Sequence, residues 1–398
     1  MLLIIFARLN GGLTMNIREL RNMFPALSRT VYGKQLVYFD NAATAQRSQS
    51  VIDKWTQLTI GANANIHRAV HKLAVDATDE YESTRDAVKE YINAAAREEI
   101  VFTSGTTGSI NLVAFSFGET FVNEGDEIIV SEAEHHSDIV PWQMLCQRKG
   151  AVLRVLHVDE DGHLNLEELK SLLNPKTRIV AVTQISNVLG ILNPVKEIVS
   201  VCHSVGCPVL IDGAQGMVHE GVDVQDVDCD FYAFSGHKLY AATGTGVLYG
   251  KCKWLDQMVP YQGGGEMIAT VRFSGTTYAP LPEKFEAGTQ NINAIPTLEP
   301  AIEMLKLMKD KELLNAQEAV SQYLFHALTS NPRIRLYGVP RGTETKIPLF
   351  SFSVEGAHHE DLALILDKMG IAVRSGQMCA EPLMDRFGVT GMLRASLA

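Results

Sequence analysis

The sequence has no excess of positive charge. Its 398 residues include 35 Lys and Arg against 46 Asp and Glu, which gives a formal net charge of −11. Proteins that bind nucleic acids need a basic face to meet the phosphate backbone. The charge balance therefore argues against a nucleic-acid-binding protein.

Long hydrophobic runs are also missing. The apolar start, Met1–Ala7, is too short to cross a bilayer, and no basic segment precedes it as in an export signal. Met15 begins a more polar stretch, so we expect translation to start there and residues 1–14 to be an upstream extension. With no export signal and no membrane span, the expected location is the cytoplasm.

Cysteine is scarce, and its spacing matches neither a disulfide framework nor a zinc site. We therefore expect reduced thiols and no metal ion. The cysteines are Cys146, Cys202, Cys207, Cys229, Cys252 and Cys379.

What the sequence does contain is a regular alternation of short apolar runs and amphipathic helical patterns, such as Leu166–Leu173 and Pro194–Ser204. This alternation predicts an α/β fold with a mostly parallel sheet, covered by helices on both faces. The predicted strands are Ile100–Thr103, Glu127–Ser131, Val152–Leu156, Arg178–Thr183, Pro208–Asp212, Phe231–Phe234 and Gly246–Tyr249.

A second, smaller α+β domain is expected after this layer. The helical run Ala301–Met308 leads away from it towards a predicted strand, Leu349–Val354. A helix, Glu360–Met369, ends at Gly370, and Ile371–Arg374 has the pattern of a further strand.

These patterns predict a large domain over residues 36–297, and a small domain formed by residues 15–35 and 298–398. The chain stops at Ala398, within a strand-like pattern. We therefore expect the small domain to lack its last few tens of residues.

Two charged side chains follow predicted strand ends in the middle of the chain. Asp212 ends the run Pro208–Asp212, and Lys238 follows the run Phe231–Phe234. Pyridoxal phosphate (PLP) needs such a pair, because a carboxylate keeps its ring nitrogen protonated and a lysine condenses with its aldehyde. Taken singly, each residue is better explained as a strand-end residue of any α/β domain.

A phosphate site is predicted where Ser104–Gly108 opens a helix after the first strand. Free N–H groups at a helix start bind phosphate, and Thr106 and Thr107 add hydroxyl groups. The segment lacks the Gly-Lys-Ser/Thr ending of a P-loop and the G-x-G-x-x-G pattern of a dinucleotide site. An ordinary helix cap is the alternative explanation.

Three weaker polar candidates accompany it. His135 follows a predicted strand and could stack on a flat cofactor ring. Asn187 could bind the cofactor or a substrate carboxylate, although Asn in such a segment often only marks a turn. His67 lies in a polar loop and by itself has the pattern of a surface histidine.

A further candidate segment is Arg374–Cys379. A guanidinium group suits bidentate capture of a substrate carboxylate. Cys379 follows on a glycine-containing loop, where its thiol could act as a nucleophile. The setting distinguishes Cys379 from the other cysteines, for which a buried or inert role is expected.

Taken together, these segments resemble the group II (Suf-type) cysteine desulfurases and the similar selenocysteine lyases. Both are PLP enzymes of the class V aminotransferase family, with fold type I. The resemblance therefore implies a large domain with a mostly parallel seven-stranded sheet plus a smaller α+β domain. The matching segments are Tyr38–Thr44, Asn65–Arg68, Ser104–Thr107, Glu134–His136, Ile211–Gln215, Ser235–Lys238, Phe285–Thr289, Arg374–Cys379 and Arg394–Ser396.

The resemblance implies a role for each matching residue around the cofactor. Lys238 would form the Schiff base, Asp212 would pair with the ring nitrogen, Gln215 would bond the phenolate oxygen, and His135 would stack on the ring and assist catalysis. The implied phosphate ligands are Thr106, Thr107, Ser235 and His237, with Thr289 supplied by the other subunit of a homodimer.

Substrate roles follow in the same way. Asn187 and Arg374 would hold the substrate carboxylate, His67 would lie beside the substrate, and Cys379 would accept the sulfur. Family members often carry a histidine where this chain has Gln377, and we expect that change to tune the loop.

The implied reaction converts L-cysteine to L-alanine and leaves a persulfide on Cys379. The sulfur would pass to an acceptor protein of iron–sulfur cluster assembly, and selenocysteine lyase activity is expected as well. Two alternatives stay open: another fold type I PLP enzyme, such as an aminotransferase or a kynureninase-like hydrolase, and a non-catalytic partner that kept the fold.

Overall fold

The computed structural model describes residues 17–339 and 346–397. The predicted start at Met15 and the extension before it lie outside these residues, as does Ala398. The strands are β1 (Thr30–Val31), β2 (Lys34–Gln35), β3 (Val37–Tyr38), β4 (Ile100–Thr103), β5 (Glu127–Ser131), β6 (Val152–Leu156), β7 (Thr177–Thr183), β8 (Val209–Asp212), β9 (Phe231–Ser235), β10 (Gly246–Gly250), β11 (Ile268–Arg272), β12 (Gly275–Tyr278), β13 (Ile334–Tyr337), β14 (Leu349–Val354), β15 (Ile371–Ala372), β16 (Arg374–Gly376) and β17 (Met392–Ser396).

Helices occupy most of the connections between these strands. They are α1 (Ile17–Asn22), α2 (Gln49–Gly61), α3 (Lys72–Tyr91), α4 (Thr106–Phe121), α5 (Val140–Lys149), α6 (Leu166–Leu172), α7 (Val195–His203), α8 (Gly216–His219), α9 (Val224–Val227), α10 (Cys252–Leu255), α11 (Leu298–Met308), α12 (Lys311–Thr329), α13 (His359–Lys368) and α14 (Glu381–Phe387). Across the described ranges, none of them has the length and apolar character needed to span a membrane.

A seven-stranded sheet forms the centre of the fold, in the order β4-β10-β9-β8-β7-β5-β6. Strand β10 runs antiparallel to both of its neighbours, and the remaining pairs are parallel. The predicted α/β fold with a mostly parallel sheet is therefore confirmed. Each predicted strand of this sheet agrees with the structure to within one residue at either end.

Apolar side chains on both faces of this sheet explain why its strands are continuous hydrophobic runs. In β8, Ile211 packs into one core and Leu210 into the other. Tyr232 and Phe231 divide in the same way on β9. Strands of parallel sheets are covered by helices on both sides and so need apolar residues at every position.

A second, four-stranded sheet has the order β13-β14-β17-β16, with antiparallel pairs. The single strand predicted over Ile371–Arg374 is two strands in the structure. Ile371–Ala372 pairs in parallel with Val37–Tyr38, whereas Arg374–Gly376 pairs with β17. The chain changes partners at Val373, which a local apolar pattern does not reveal.

The N-terminal segment contacts both sheets. Phe24 packs in the core of the seven-stranded sheet, with its ring 5.5 Å from that of Tyr240. The Val37 N–H donates to the Gly370 carbonyl (2.9 Å), next to the second sheet. The division into domains at residues 36 and 297 stays a prediction.

Candidate active site

The predicted site residues of the central sheet lie along one edge of it, the edge formed by the carboxyl ends of the parallel strands. Asp212 ends β8, Ser235 ends β9, and the loop carrying His135 follows β5. The turn before α4 follows β4 at the same edge. Because ligands of open α/β sheets bind outside the carboxyl ends of the strands, this edge is the candidate active site.

Asp212 and Lys238 come together at this edge. The Asp212 carboxylate is 3% exposed and accepts a hydrogen bond from the Ala214 N–H (2.8 Å). Burial raises the pKa of Asp212, and the Lys238 ammonium opposes that rise. Burial lowers the pKa of Lys238 to about 8, against the attraction of Asp212. An amine with a lowered pKa is more often unprotonated and can attack a carbonyl group.

The turn before α4 forms a small polar cup with the end of β9. The Ser235 hydroxyl oxygen accepts from the Thr106 N–H (2.7 Å) and lies 2.8 Å from the Thr106 hydroxyl. Gly105 has φ +145°, and a Cβ on Gly246 would stand 2.3 Å from the Gly105 Cα. Glycine is therefore required at both positions for this close approach, and Thr107 stands exposed beside it. A 16-residue helix starting here favours an anion.

Two histidines beside the cup are held neutral. Burial and the nearby Lys238 lower the pKa of His135 to about 4 and that of His237 to about 4. The Ser137 N–H donates to His135 Nδ1 (3.1 Å), so the ring proton of His135 belongs on Nε2. His237 Nδ1 lies 3.3 Å from the Thr44 hydroxyl.

Gln215 and Asn187 are both buried, at the rim of the candidate active site. Gln215 Nε2 donates to the Ala42 carbonyl (2.7 Å). Asn187 Nδ2 donates to the Met378 carbonyl (2.8 Å), which ties the loop after β7 to the segment that precedes Cys379.

Cys379 is exposed on a strained loop at this rim. Cys379 and Met378 both have φ +55°, a conformation that costs free energy for residues with side chains. The Cys379 carbonyl accepts from the His136 N–H (2.8 Å). The thiol interacts electrostatically with both Lys238 and Arg394. The other cysteines are buried or half-buried, so Cys379 is the most accessible thiol of the described residues.

Arg374 and Arg394 differ sharply in their surroundings. Arg374 is exposed, and its guanidinium forks onto Asp40 with bonds of 3.2 and 2.8 Å. Arg394 is 3% exposed, donates to the Asn187 carbonyl (2.8 Å), and has a buried Nε with no partner among the described residues. Its Nη2 also lies 3.4 Å from Asp40 Oδ1. Burial lowers the pKa of Arg394 to about 10.

Sequence reasoning assigned the substrate carboxylate to Arg374, which stays a prediction, and gave Arg394 no role. The Arg394 guanidinium acts on Lys238 and on His135, which places it inside the cluster. The available signal was the segment Arg394–Ser396, whose resemblance was recognised without a role for its arginine.

Two predicted residues are not brought into the cluster by any contact among the described residues. His67 Nε2 pairs with Glu82 (3.0 Å), which in turn contacts the buried Arg85. Thr289 is exposed, in the loop after Glu286, whose carboxylate pairs with the same arginine (2.7 Å). His67 therefore belongs to a neighbouring network, and Thr289 follows a member of that network, Glu286, three residues along the chain.

PLP fits the cluster by its chemistry. A flat ring, an anionic group and an aldehyde call for a neutral imidazole, an N–H and hydroxyl cup, a buried carboxylate and an amine. His135, the Gly105–Thr106 cup, Asp212 and Lys238 supply these groups. Within the described residues, no cluster of three or more His, Cys, Asp or Glu side chains is arranged to hold a metal ion.

The chain is similar to known proteins over nearly its whole length. The family model for class V aminotransferases matches residues 37–398. A curated relative, the cysteine desulfurase of Pectobacterium carotovorum subsp. carotovorum (strain PC1), is 46% identical over 383 residues, which is 96% of this chain and 93% of the relative. The cysteine desulfurase of Escherichia coli O8 (strain IAI1) is 46% identical over 387 residues, 97% of this chain and 94% of the relative.

Solved structures give the same picture. The cysteine desulfurase CsdA from Escherichia coli, in an S-sulfonic acid form, has a TM-score of 0.87 and 39% identity, covering 96% of this chain and 94% of that one. The apo cysteine desulfurase from Thermococcus onnurineus NA1 has a TM-score of 0.88 and 35% identity over the same shares.

Proposed function

This chain belongs to the class V aminotransferase family of PLP enzymes, and we infer that it is a cysteine desulfurase that converts L-cysteine to L-alanine. We further propose that Cys379 receives the sulfur as a persulfide. The observation that carries this proposal is the exposure of the Cys379 thiol on a strained loop, whose backbone bonds the turn that carries His135.

We propose the cofactor ligands that the family resemblance implies, and the cluster of Lys238, Asp212, His135 and the cup formed by Thr106 and Ser235 supports them. Lys238 would bind the aldehyde, Asp212 the ring nitrogen, and His135 the ring face, with Gln215 at the phenolate oxygen. When bound, PLP supplies an electron sink that stabilises negative charge at the substrate α-carbon. The phosphate would be held by Thr106, Thr107, Ser235 and His237, with Thr289 from a partner subunit.

Lys238 is the proposed base for the α-proton of the substrate. Its pKa of about 8 lies close to neutral pH, where a proton acceptor works best. Asp212 remains nearby to balance the positive charge that Lys238 acquires when it takes the proton.

Arg394 is the residue that we propose to hold the substrate carboxylate, with Asn187 beside it. Its guanidinium is buried, and its Nε has no partner among the described residues. Arg374 binds Asp40 through two hydrogen bonds (3.2 and 2.8 Å), whereas Arg394 contacts the same carboxylate through one long bond (3.4 Å), so Arg374 would lose more by turning to the substrate. The predicted position of His67 beside the substrate stays a proposal.

Sulfur transfer needs no external oxidant. The Cys379 thiolate attacks the substrate sulfur, so an S–S bond forms while the C–S bond breaks. The electron pair of the C–S bond goes to the β-carbon, which takes a proton and becomes the methyl group of alanine. The products are alanine and a persulfide on Cys379.

Wider assignments rest on the resemblance and stay proposals. The persulfide would pass to an acceptor protein of iron–sulfur cluster assembly, which could reach Cys379 because its loop is exposed. L-Selenocysteine would also be a substrate. A homodimer in the cytoplasm is the proposed form of the enzyme.

Incubation of the purified enzyme with L-cysteine tests the proposal, with alanine and an alkylated persulfide on Cys379 as the measured products. Cys379→Ala should lose both products from L-cysteine but keep selenocysteine lysis, because selenide is the better leaving group. Cys252→Ala, which removes a half-buried thiol elsewhere, is the matched control and should retain both products. Alanine formation at the full rate by Cys379→Ala would contradict the role of Cys379.

A further inference from the structure

Two buried carboxyl groups flank the turn that carries His135. Glu134 and Asp138 are both fully buried, and neither has a role in the reaction described above. The turn between them is compact, since the Asp138 N–H donates to the His135 carbonyl (2.8 Å) and the Ser137 N–H donates to the His135 ring. Any force between the two carboxyl groups therefore acts on the placement of His135.

Each carboxyl group has one bonded oxygen and one unbonded oxygen. Glu134 Oε1 accepts from the Thr183 N–H (2.9 Å) and from the Ser131 hydroxyl. Asp138 Oδ1 accepts from Trp142 Nε1 (2.8 Å). Glu134 Oε2 and Asp138 Oδ2 are buried and find no donor in the described part of the chain.

Glu134 and Asp138 are four residues apart, at the two ends of this compact turn, and each acts electrostatically on the other. Two ionised carboxylates in that position would repel, and buried oxygens without donors are costly. Ser131, Thr183 and Trp142 bring no charge, and the charged groups that act most strongly on the pair are its own members and Asp212. A single proton between the two oxygens removes the repulsion and gives each oxygen a hydrogen-bond partner.

We propose that Glu134 and Asp138 share a proton, and that this hydrogen bond closes the turn that holds His135 against the cofactor ring. The role towards His135 rests on the proposed function, whereas the shared proton does not. Burial and the nearby Asp212 raise the pKa of Glu134 to about 8, while burial, Glu134 and Asp212 raise the pKa of Asp138 well above its ordinary value. The shared proton also reduces the negative charge that acts on Asp212, the carboxylate that would pair with the ring nitrogen.

The proposal fixes the sign of a pH effect. A carboxyl group in the unfolded chain loses its proton near pH 4, whereas the folded pair keeps its proton to about pH 8. Between these values the folded protein binds more protons, so its stability falls as the pH rises. One shared proton changes the folding equilibrium by about tenfold per pH unit in this range.

The test compares the holoenzyme with Asp138→Asn, whose amide provides the hydrogen bond without a titrating proton. Apparent unfolding midpoints and the cofactor absorbance are measured from pH 6 to 9. The variant should lose less stability than the wild type as the pH rises, and should keep its cofactor to higher pH. Asp126→Asn is the matched control: Asp126 pairs with Arg178 (2.9 Å), so its replacement should not flatten the dependence.

Each outcome decides one part of the proposal. Equal pH slopes for wild type and Asp138→Asn would overturn the shared proton. A flattened slope with an unchanged pH of cofactor release would overturn the role towards His135. If Asp138→Asn fails to fold, Glu134→Gln takes its place in the comparison. The wild type is then also examined for the infrared carbonyl band of a protonated carboxyl group. Absence of that band would overturn the shared proton. Failure of the proposed function would appear separately, as missing alanine and persulfide, and would leave the slopes unaffected.

Discussion

Lys238 is the side chain whose loss should reduce activity most. Lys238→Ala removes both the amine proposed to bind the cofactor and the proposed base, so alanine formation should fall by at least about 10²–10⁴-fold. Borohydride reduction should no longer fix the cofactor to the protein. Lys284→Ala is the control, because burial also lowers the pKa of Lys284, but its Nζ donates to the Leu255 and Asp256 carbonyls instead. Full turnover by Lys238→Ala would contradict the scheme.

The two arginines of the site give a second residue-scale prediction. Hydrogen bonds to charged groups contribute about 1.5–3 kcal/mol, so loss of the carboxylate ligand should reduce kcat/KM by roughly 10–100-fold. Arg394→Lys should show this loss, mainly through KM for L-cysteine. Arg374→Lys is the comparison and should have the smaller effect, since Arg374 binds Asp40 with two hydrogen bonds and Arg394 contacts it with only one long bond. A larger loss of kcat/KM in Arg374→Lys than in Arg394→Lys would indicate that Arg374 binds the substrate carboxylate.

Single residues also show where sequence reasoning ends. Asp212 and Lys238 could be found because each follows an apolar strand, which is a local pattern. Arg394 could not be ranked, because its burial and its nearness to Lys238 depend on how the second sheet packs against the first. The pairing of Glu134 with Asp138 was missed for the same reason, since burial decides whether a carboxyl group holds a proton.

At the scale of elements, the strands of the central sheet were predictable and those of the second sheet less so. Each central strand is an apolar run covered on both faces, so its limits are written in the local sequence. The segment 371–376 changes partners within six residues, and only the positions of Val37–Tyr38 and β17 explain the break. Loop geometry was equally hidden: nothing in the sequence indicated that Met378 and Cys379 would adopt positive φ.

The contact between β10 and the turn before α4 carries an element-scale prediction. Gly246→Ala would place a Cβ 2.3 Å from the Gly105 Cα, so the turn proposed to hold the phosphate must shift. Overpacking of this kind costs about 1–3 kcal/mol. We expect the dissociation constant for PLP to rise about tenfold or more, as measured by cofactor titration of the apoprotein.

Gly61→Ala is the control for that substitution, because a Cβ there meets no atom within 4 Å. It should bind PLP as the wild type does. Unchanged PLP affinity in Gly246→Ala would show that the phosphate does not depend on the cup formed by Gly105, Thr106 and Ser235.

At the scale of the whole molecule, the hairpin β11–β12 stands out from the rest of the surface. Every residue of β12 is exposed, and all but the first residue of β11 are exposed as well. Phe273, at its turn, is fully exposed, and Val271 and Tyr278 are largely so. A two-stranded hairpin is marginally stable alone in water, so a covering surface is expected. A second copy of the chain is the cover that the proposed homodimer provides.

This gives the whole-molecule prediction, tested with Phe273→Glu. Burial of a phenylalanine contributes about 1.5–3 kcal/mol, and a two-fold symmetric interface buries it twice. The dimer dissociation constant should therefore rise by roughly 10²-fold or more, as measured by sedimentation equilibrium. If Thr289 crosses to the partner's phosphate, as proposed, the dissociated variant should also release PLP more readily. Tyr323→Glu, at another exposed aromatic position on α12, should leave the dimer intact. A wild-type chain that sediments as a monomer would refute the dimer, and a dimeric Phe273→Glu variant would exclude the hairpin from the interface.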